Sequence, residues 1–321
     1  MKKEGFTKKY AVFATNFGSN DLSFVSPHTK EQVTVNEGIA HFLEHKMFEN
    51  ESGIDSLMEL MSLGLDANAY TTNDHTAYLF SGTENFYEGL DELMDYVQHP
   101  YYTDENVEKE RPIIGQEIGK YDDMPPWKLY INAVQNMYHN NTVRIDTAGT
   151  IETISHITKE NLYSCYNTFY NPANSIMCIS GNFNPEEIIN EIKKRLIKKE
   201  KITSITRIYP EISGKWGIAE VPTFLKKNEK TLANRYAILS NTPATSIILK
   251  DSKKKDNKLK MAIASDIILN SIIGKCSELY QELYNNSDIM SELEIENEFS
   301  TNYSHVLIAG ETKNPKEIAN K

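Results

Sequence analysis

The feature that most constrains this chain is the run His41-Phe42-Leu43-Glu44-His45, in which two histidines lie four positions apart and a glutamate precedes the second. On an α-helix, positions i and i+4 share one face with Cβ atoms roughly 6 Å apart, so both imidazoles can bind one metal ion. Glu44 lies on the adjoining face, within reach of a water molecule at that ion. Two imidazoles and a carboxylate base suit Zn²⁺ and the activation of water, and the run inverts the H-E-x-x-H motif of metallopeptidases. The run therefore predicts a helix that carries a hydrolytic zinc site.

A catalytic zinc site needs a third protein ligand and one open coordination position. The segment Thr103–Ile118 predicts a helix, because Thr103 can cap its start, acids fill its first turn and apolar residues follow at helical spacing. Glu110 and Glu117 lie two turns apart on one face of this helix. Taken alone, the two segments are also compatible with ordinary half-buried histidines and a solvated charged helix.

Together, these segments resemble the insulinase/pitrilysin/mitochondrial processing peptidase family of metallopeptidases. In that family the H-x-x-E-H helix is followed, further along the chain, by a liganding glutamate with another acidic residue before it. The resemblance implies that His41, His45 and Glu117 bind one Zn²⁺ per chain and that Glu44 is the catalytic base. It also implies that Glu110 lies behind these residues and steadies a ligand or Glu44, although an ordinary solvated charge stays open for Glu110.

The segment between the two helices carries Asn68-Ala69-Tyr70-Thr71, which is similar to the N-A-(Y/F)-T substrate strand of the family. The resemblance implies that these four residues bind the substrate by offering a strand edge to an extended peptide. It covers nearly the whole chain and points to the two-domain bacterial members of processing-peptidase type. The implied function is a zinc-dependent endopeptidase that cleaves extended peptides or small unfolded proteins. A different zinc hydrolase is disfavoured, because the substrate strand matches as well.

Strands and helices mix without βαβ regularity, which is typical of an α+β fold. The fold class expected from the resemblance is two related domains, each a mostly antiparallel sheet packed with helices, the second incomplete. Pro112 interrupts the predicted helix that carries Glu117, and a proline there usually produces a kink. The predicted strands are Tyr10–Phe17, a pair over Asn68–Ser81, and Ser175–Ser180, and the predicted helices are Glu37–Phe48, Ile54–Leu63, Asn85–Val97, Thr103–Lys120, Lys159–Tyr170 and Pro185–Lys199.

A second half of the chain repeats the pattern of the first at an offset of about 228 residues. Phe299–Gly310 resembles the strand pair of Asn68–Gly82, and Met261–Ile273 is an apolar helix in the place of the zinc helix, without a histidine. A stretch with lysine runs, prolines and a glycine separates the halves. We therefore predict a zinc-binding peptidase domain over residues 1–197, a linker over 198–230, and a partial, metal-free second domain over 231–321.

By the repeat offset, the second domain should extend roughly a hundred residues beyond Lys321. The strand that opens the family's first domain is likewise missing before Lys8, so the chain is expected to be truncated at both ends. The Arg and Tyr with which family members hold the substrate carbonyl have no counterpart that we can name. Weak peptidase activity is expected from this chain alone. The alternative function is a catalytically weak or inactive subunit or scaffold of a peptidase-like heterodimer, although the retained H-x-x-E-H residues oppose it.

Composition excludes several other classes of protein. The net charge of −11 argues against nucleic acid as a partner, because nucleic-acid binding needs a basic surface. No apolar stretch is long enough to span a membrane, and Tyr10–Ala14 is too short for a signal peptide. Three cysteines at no metal spacing indicate reduced thiols. We expect a cytoplasmic protein with a peptide substrate and a possible homodimeric or heterodimeric partner of related sequence.

Overall fold

A computed structural model describes residues 1–200, 202, 204–210, 217–222, 234–240, 255–300, 303–312, 317–318 and 321. The chain forms two compact units, one of Met1–Ile118 with Asp146–Ile208 and the other of Gly119–Ile145 with Tyr209–Lys321. The predicted linker over 198–230 lies partly outside the described residues, and its described part includes two strands. The domain boundaries at 197 and 231 stay a prediction.

The strands of the first unit form two sheets. A four-stranded sheet has the order β4-β5-β1-β6, and all of its neighbouring strands are antiparallel. A three-stranded sheet has the order β3-β2-β7. The strands are β1 (Lys9–Thr15), β2 (Ser23–Val25), β3 (Gln32–Thr34), β4 (Asp66–Thr71), β5 (Thr76–Gly82), β6 (Ser175–Ser180) and β7 (Thr206–Arg207).

The helices of the first unit are close to those predicted from the sequence. The helix predicted over Pro185–Lys199 ends four residues early, because Leu196 is extended and the Ile197 N–H donates to the Gln98 side chain at 2.8 Å. One short helix, Ile151–Ser155, was not predicted. The helices are α1 (Ile39–Lys46), α2 (Ser56–Ser62), α3 (Phe86–Tyr96), α4 (Asp104–Asp122), α6 (Ile151–Ser155), α7 (Lys159–Phe169) and α8 (Pro185–Arg195). The residues of α4 after Ile118 and the whole of α5 (Pro125–Met137) belong to the second unit.

One apolar core fills the first unit. Phe42 and Leu43 of α1 are fully buried in it, together with Tyr78 and Phe80 of β5 and Leu90 of α3. Gly38 is the N-cap residue directly before α1, and its φ of 87° lies in the left-handed region that favours glycine. A Cβ at Gly38 would lie 2.5 Å from the main-chain oxygen of Ala148, so only glycine fits this close approach. The start of α1 is therefore fixed against the loop before α6.

The second unit has a four-stranded antiparallel sheet of order β10-β11-β9-β8, and α5 packs against β8 and β9. The helix predicted over Met261–Ile273 begins earlier, at Lys255, and the strand pair predicted over Phe299–Gly310 begins at Glu294. The elements are β8 (Gly217–Pro222), β9 (Asn234–Ser240), α9 (Lys255–Ile273), α10 (Glu278–Asn285), β10 (Glu294–Phe299) and β11 (Ser304–Thr312).

Strand register supports the internal repeat. Asp66 pairs with Ser81 in the first sheet, and Glu294 pairs with Ala309 in the second. Both partners of the second pair lie 228 positions after those of the first, which is the offset read from the sequence. The order of the strands also corresponds, because β10, β11 and β9 take the places of β4, β5 and β1. The two units therefore share one α+β architecture, as predicted.

Candidate metal centre

Most side chains of α1 are buried, and only its two histidines are partly exposed. Ile39, Phe42 and Leu43 are almost completely buried, and they hold the helix in the core. His41 and His45 lie one turn apart on the same side, with ring centroids 4.6 Å apart and planes inclined at 71°. The predicted i, i+4 arrangement is therefore present, and both imidazoles face the same region.

The side chain of Glu117, on α4, lies close to both histidines. Its Oε2 atom lies 3.7 Å from His41 Nε2 and 3.4 Å from His45 Nε2. One donor atom from each of the three side chains lies within 4.8 Å of the other two. The helix α4 runs without interruption across Pro112, so the predicted kink does not carry Glu117 away from the histidines.

The donor set and its surroundings fit a catalytic zinc ion. Two imidazole nitrogens and one carboxylate oxygen are a set that catalytic Zn²⁺ uses, with the fourth position open. Burial and the neighbouring charge of His45 lower the pKa of His41 to about 3, so His41 is neutral at pH 7 with a lone pair to donate. Burial also lowers the pKa of His45, but the hydrogen bond and charge of Glu110 outweigh it and raise this pKa overall. His45 therefore holds a proton more readily than His41 does, and a metal ion that binds His45 has to displace that proton.

Glu110 lies directly behind His45. Its Oε1 atom lies 3.0 Å from His45 Nδ1, and its Oε2 atom lies 3.4 Å from Lys46 Nζ. The carboxyl is largely buried, which disfavours its charge, but the bond to His45 and the ammonium of Lys46 outweigh burial and lower the pKa of Glu110. The ionised carboxylate can accept the Nδ1 proton of His45 and thereby turn Nε2 of that ring toward Glu117.

Glu44 lies beside the histidines and is only 7% exposed. Burial raises its pKa, and a hydrogen bond from Thr71 partly offsets that rise. The hydroxyl of Thr71 donates to Glu44 Oε2 at 2.5 Å. A carboxylate with a raised pKa, close to a metal site but not among the three ligands, is suited to exchange a proton with water.

Strand β4 forms an edge of the first sheet within the described residues. The N–H of Thr72 donates to the His75 oxygen at 2.8 Å, so by antiparallel alternation the main-chain groups of Ala69 and Thr71 point away from β5. The Ala69 N–H donates to the side chain of Asn68 at 2.9 Å, which is consistent with this direction. Tyr70 is 44% exposed. Within the described residues no strand pairs with this edge, so it can accept an extended peptide once the peptide replaces the bond between the Ala69 N–H and Asn68.

The structure therefore brings most of the predicted site residues together. His41, His45 and Glu117 form one cluster, and Glu110 contacts His45. Asn68, Ala69 and Tyr70 lie along the edge of β4. Two contacts were not foreseen from the sequence: the bond of Thr71 to Glu44, and the contact of Lys46 with Glu110. Lys46 directly follows the H-x-x-E-H segment, and this position was the one sign in the sequence that it could take part in the site. Nothing in the sequence tells which way its side chain points.

Comparisons with known proteins identify the family of this chain. Residues 29–151 match the family profile described as Insulinase (Peptidase family M16), and residues 156–314 match the one described as Peptidase M16 inactive domain. The uncharacterized zinc protease YmfH of Bacillus subtilis (strain 168) is 39% identical over 324 residues, which cover 99% of this chain and 72% of YmfH. A protein of Arabidopsis thaliana named "Probable mitochondrial-processing peptidase subunit beta" is 27% identical over 169 residues, covering 50% of this chain and 31% of that protein.

A solved structure shares the fold over the whole chain. The crystal structure of an M16-like peptidase from Alicyclobacillus acidocaldarius is 33% identical, with a TM-score of 0.82. The match covers 100% of this chain and 73% of that one. In the part of this chain that the structure describes, no helix is both long enough and apolar enough to cross a membrane.

Proposed function

Because this chain belongs to the insulinase family of peptidases, family M16, we propose that it is a zinc-dependent endopeptidase of the inverted H-x-x-E-H type. Its substrates are extended peptides or small unfolded proteins. The observation that carries the proposal is the cluster of His41, His45 and Glu117, with donor atoms within 4.8 Å, beside a buried Glu44. One Zn²⁺ per chain, bound by these three side chains, would polarise a water molecule and the peptide carbonyl.

Glu44 acts on the proton of the attacking water. Its pKa is raised by burial, so the carboxylate accepts a proton more readily than an exposed glutamate does. The same carboxyl then returns that proton to the leaving amine. The Thr71 hydroxyl donates to one oxygen of Glu44 and so fixes the orientation of the carboxylate. Glu110 holds the imidazole of His45 through Nδ1.

The edge of β4 binds the substrate in an extended conformation. The outward main-chain groups of Ala69 and Thr71 pair with the peptide, as in the addition of a strand to a sheet. The side chains of Asn68 and Tyr70 lie on the face of the sheet opposite to those of Ala69 and Thr71. They contact neighbouring side chains of the substrate. Because Thr71 also bonds Glu44, the strand holds the peptide next to the catalytic base.

The rival function is a weak or inactive subunit of a peptidase-like heterodimer. Some relatives of this chain are subunits by name, such as the cytochrome b-c1 complex subunit 1 of Mus musculus. The complete donor set and the buried Glu44 favour the enzyme, because an inactive subunit has no need of either. We further propose a cytoplasmic location and a second chain of related sequence as the partner, either an identical copy or a homologue.

The test compares Glu44→Gln with the wild type and with Glu88→Gln, which changes an exposed glutamate of α3. Zinc content is measured by mass spectrometry, and activity is measured on a library of quenched peptides. Glu44→Gln should keep its zinc and lose peptide cleavage by about two to four orders of magnitude, the usual scale of a general base. Glu88→Gln should match the wild type. A wild-type chain that binds zinc but cleaves no peptide, alone or with a related chain, would support the subunit instead.

A further inference from the structure

We propose that Lys46 is a positioning residue of the metal centre: it holds the Glu110 carboxylate in the orientation that fixes the imidazole of His45. This inference rests on the proposed function in one respect, namely that His45 is a zinc ligand. Lys46 itself contacts neither substrate nor metal.

The burial of Lys46 requires an explanation. Its side chain is only 2% exposed and is among the largest fully buried side chains of the described chain, which are otherwise aromatic or aliphatic. Burying an ammonium is costly unless acceptors replace its water. Lys46 Nζ has two carboxylate partners, Glu49 and Glu110. Glu49 is 36% exposed, whereas Glu110 is 13% exposed and is therefore the more deeply buried partner.

The two oxygens of the Glu110 carboxylate contact two consecutive residues of the chain, His45 and Lys46 of α1. One oxygen, Oε1, lies 3.0 Å from His45 Nδ1, and the other, Oε2, lies 3.4 Å from Lys46 Nζ. With both oxygens engaged, rotation of the carboxylate breaks one contact or the other. Lys46 therefore restricts the group that orients His45, even though the two side chains do not bond each other.

The orientation of His45 matters for the atom that faces Glu117. When Nδ1 donates its proton to Glu110, Nε2 is left with a lone pair, and Nε2 lies 3.4 Å from Glu117 Oε2. Within the described residues, the corresponding Nδ1 of His41 has no hydrogen-bond partner. Of the two histidines, only His45 has a side-chain partner at Nδ1 within the described residues. That partner is Glu110, which in turn contacts Lys46.

The experiment is a double-mutant cycle read by zinc affinity. Dissociation constants are measured by chelator competition for the wild type, Lys46→Met, Glu110→Gln and the double variant. Groups behind metal ligands typically change affinity by about 10- to 100-fold. We expect Lys46→Met to weaken zinc binding about tenfold. This is the lower end of that range, because Lys46 acts on His45 only through Glu110. In the Glu110→Gln background the same change should weaken it less than twofold, since there is then no carboxylate to hold.

Two controls separate positioning from folding. Lys109→Met removes a lysine of α4 that is 66% exposed, and it should leave zinc affinity unchanged. Thermal unfolding of each metal-free variant gives its folded fraction, for which the affinities are corrected. If Lys46→Met does not fold, the same cycle is run with Lys46→Gln, which keeps a hydrogen-bond donor. The ¹⁵N shifts of the His45 ring in metal-free protein give a second readout, and loss of the Nδ1–H form in the Lys46 variant is expected.

Three outcomes would overturn the inference. In the first, Lys46→Met leaves the corrected zinc affinity equal to that of the wild type, so that Lys46 serves stability alone. In the second, the loss is equally large with Glu110 and with Gln at that position, so that Lys46 does not act through the carboxylate. A wild-type chain that binds no zinc would remove the premise together with the proposed function. Zinc binding without peptide cleavage would count against the enzyme, and the cycle would still decide the role of Lys46.

Discussion

At the scale of single residues, the centre is governed by opposing effects of burial and hydrogen bonding. Burial raises the pKa of Glu44, and the hydroxyl of Thr71 lowers it by donating to the charged form. Burial lowers the pKa of His45, and the carboxylates around that ring raise it. In both cases a neighbour from a distant part of the sequence opposes the effect of burial, only in part at Glu44 and more than fully at His45, so these neighbours are suitable targets for substitution.

Thr71→Val tests how far the Thr71 hydroxyl lowers the pKa of Glu44. Without the hydroxyl, the ionised form of Glu44 loses a donor, and its pKa rises further. Glu44 must be ionised to accept a proton, and a higher pKa means that this form is lost earlier as the pH falls. The acid limb of the kcat/KM profile should therefore move to higher pH. Thr71→Ser keeps the donor and should leave the limb in place. An unmoved limb in Thr71→Val would show that another group controls it.

His45→Ala and Glu117→Ala test the three ligands. Removing one of three protein ligands leaves too few for a tight site, so both variants should lose most of their zinc after dialysis. Metal analysis of the purified variants measures this loss. Glu108→Ala, on an exposed part of the same helix as Glu117, is the matched control and should keep its zinc. Full occupancy in both ligand variants would refute the assignment.

The three proposed ligands and Glu110 could be assigned from the sequence, whereas the contacts that Thr71 and Lys46 make could not. His41, Glu44 and His45 follow from helical spacing alone, and Glu117 followed from a resemblance. Thr71 lies 27 positions from Glu44, and Glu110 lies 64 positions from Lys46. Contacts over such separations depend on how a strand or a second helix packs against α1, which no local pattern encodes.

At the scale of elements, the strand edge and the long helix are the features that prepare the site. The register of β4 on β5 turns the main-chain groups of Ala69 outward, and α4 carries Glu110 and Glu117 on one continuous helix despite Pro112. Local patterns predicted these elements well because periodicity and capping residues are local. They missed α5 and the short strands β2 and β3, whose formation depends on partners elsewhere in the chain.

Ala69→Pro tests the edge of β4. Proline removes the outward N–H, and with it the bond to the Asn68 side chain, while leaving the bonds to β5 in place, and edge positions tolerate it. Loss of one main-chain hydrogen bond to the peptide should lower kcat/KM about tenfold. Zinc content should not change. Ala69→Ser keeps the N–H and should retain nearly full activity. Equal activity of the proline variant and the wild type would mean that peptides bind elsewhere.

At the scale of the whole molecule, each unit has apolar clusters of its own among the described residues. One apolar cluster draws only on residues of the first unit, and two others draw only on residues of the second. The proposed metal site lies wholly within the first unit. Binding of zinc should therefore stabilise one unit and leave the other unchanged.

Calorimetry with and without zinc tests this separation. At free zinc a hundredfold above its dissociation constant, linkage stabilises the binding unit by about 2.7 kcal/mol. For a unit of this size, that corresponds to a rise in Tm of roughly 5–10 °C. Only one of two unfolding transitions should move, and neither should move in His45→Ala. A single transition that shifts as a whole would show that the units unfold together.

The pairing of β1 with β6 has a consequence for synthesis of the protein. β1 pairs on one side with β6, which begins at Ser175. At about 5–20 residues per second, the ribosome needs roughly 10–30 s to make the intervening chain. During that interval one edge of β1 has no strand to pair with, and the nascent chain presents it to other unfolded chains. We therefore expect chaperones that shield nascent chains to raise the yield of folded protein more than chaperones added after release.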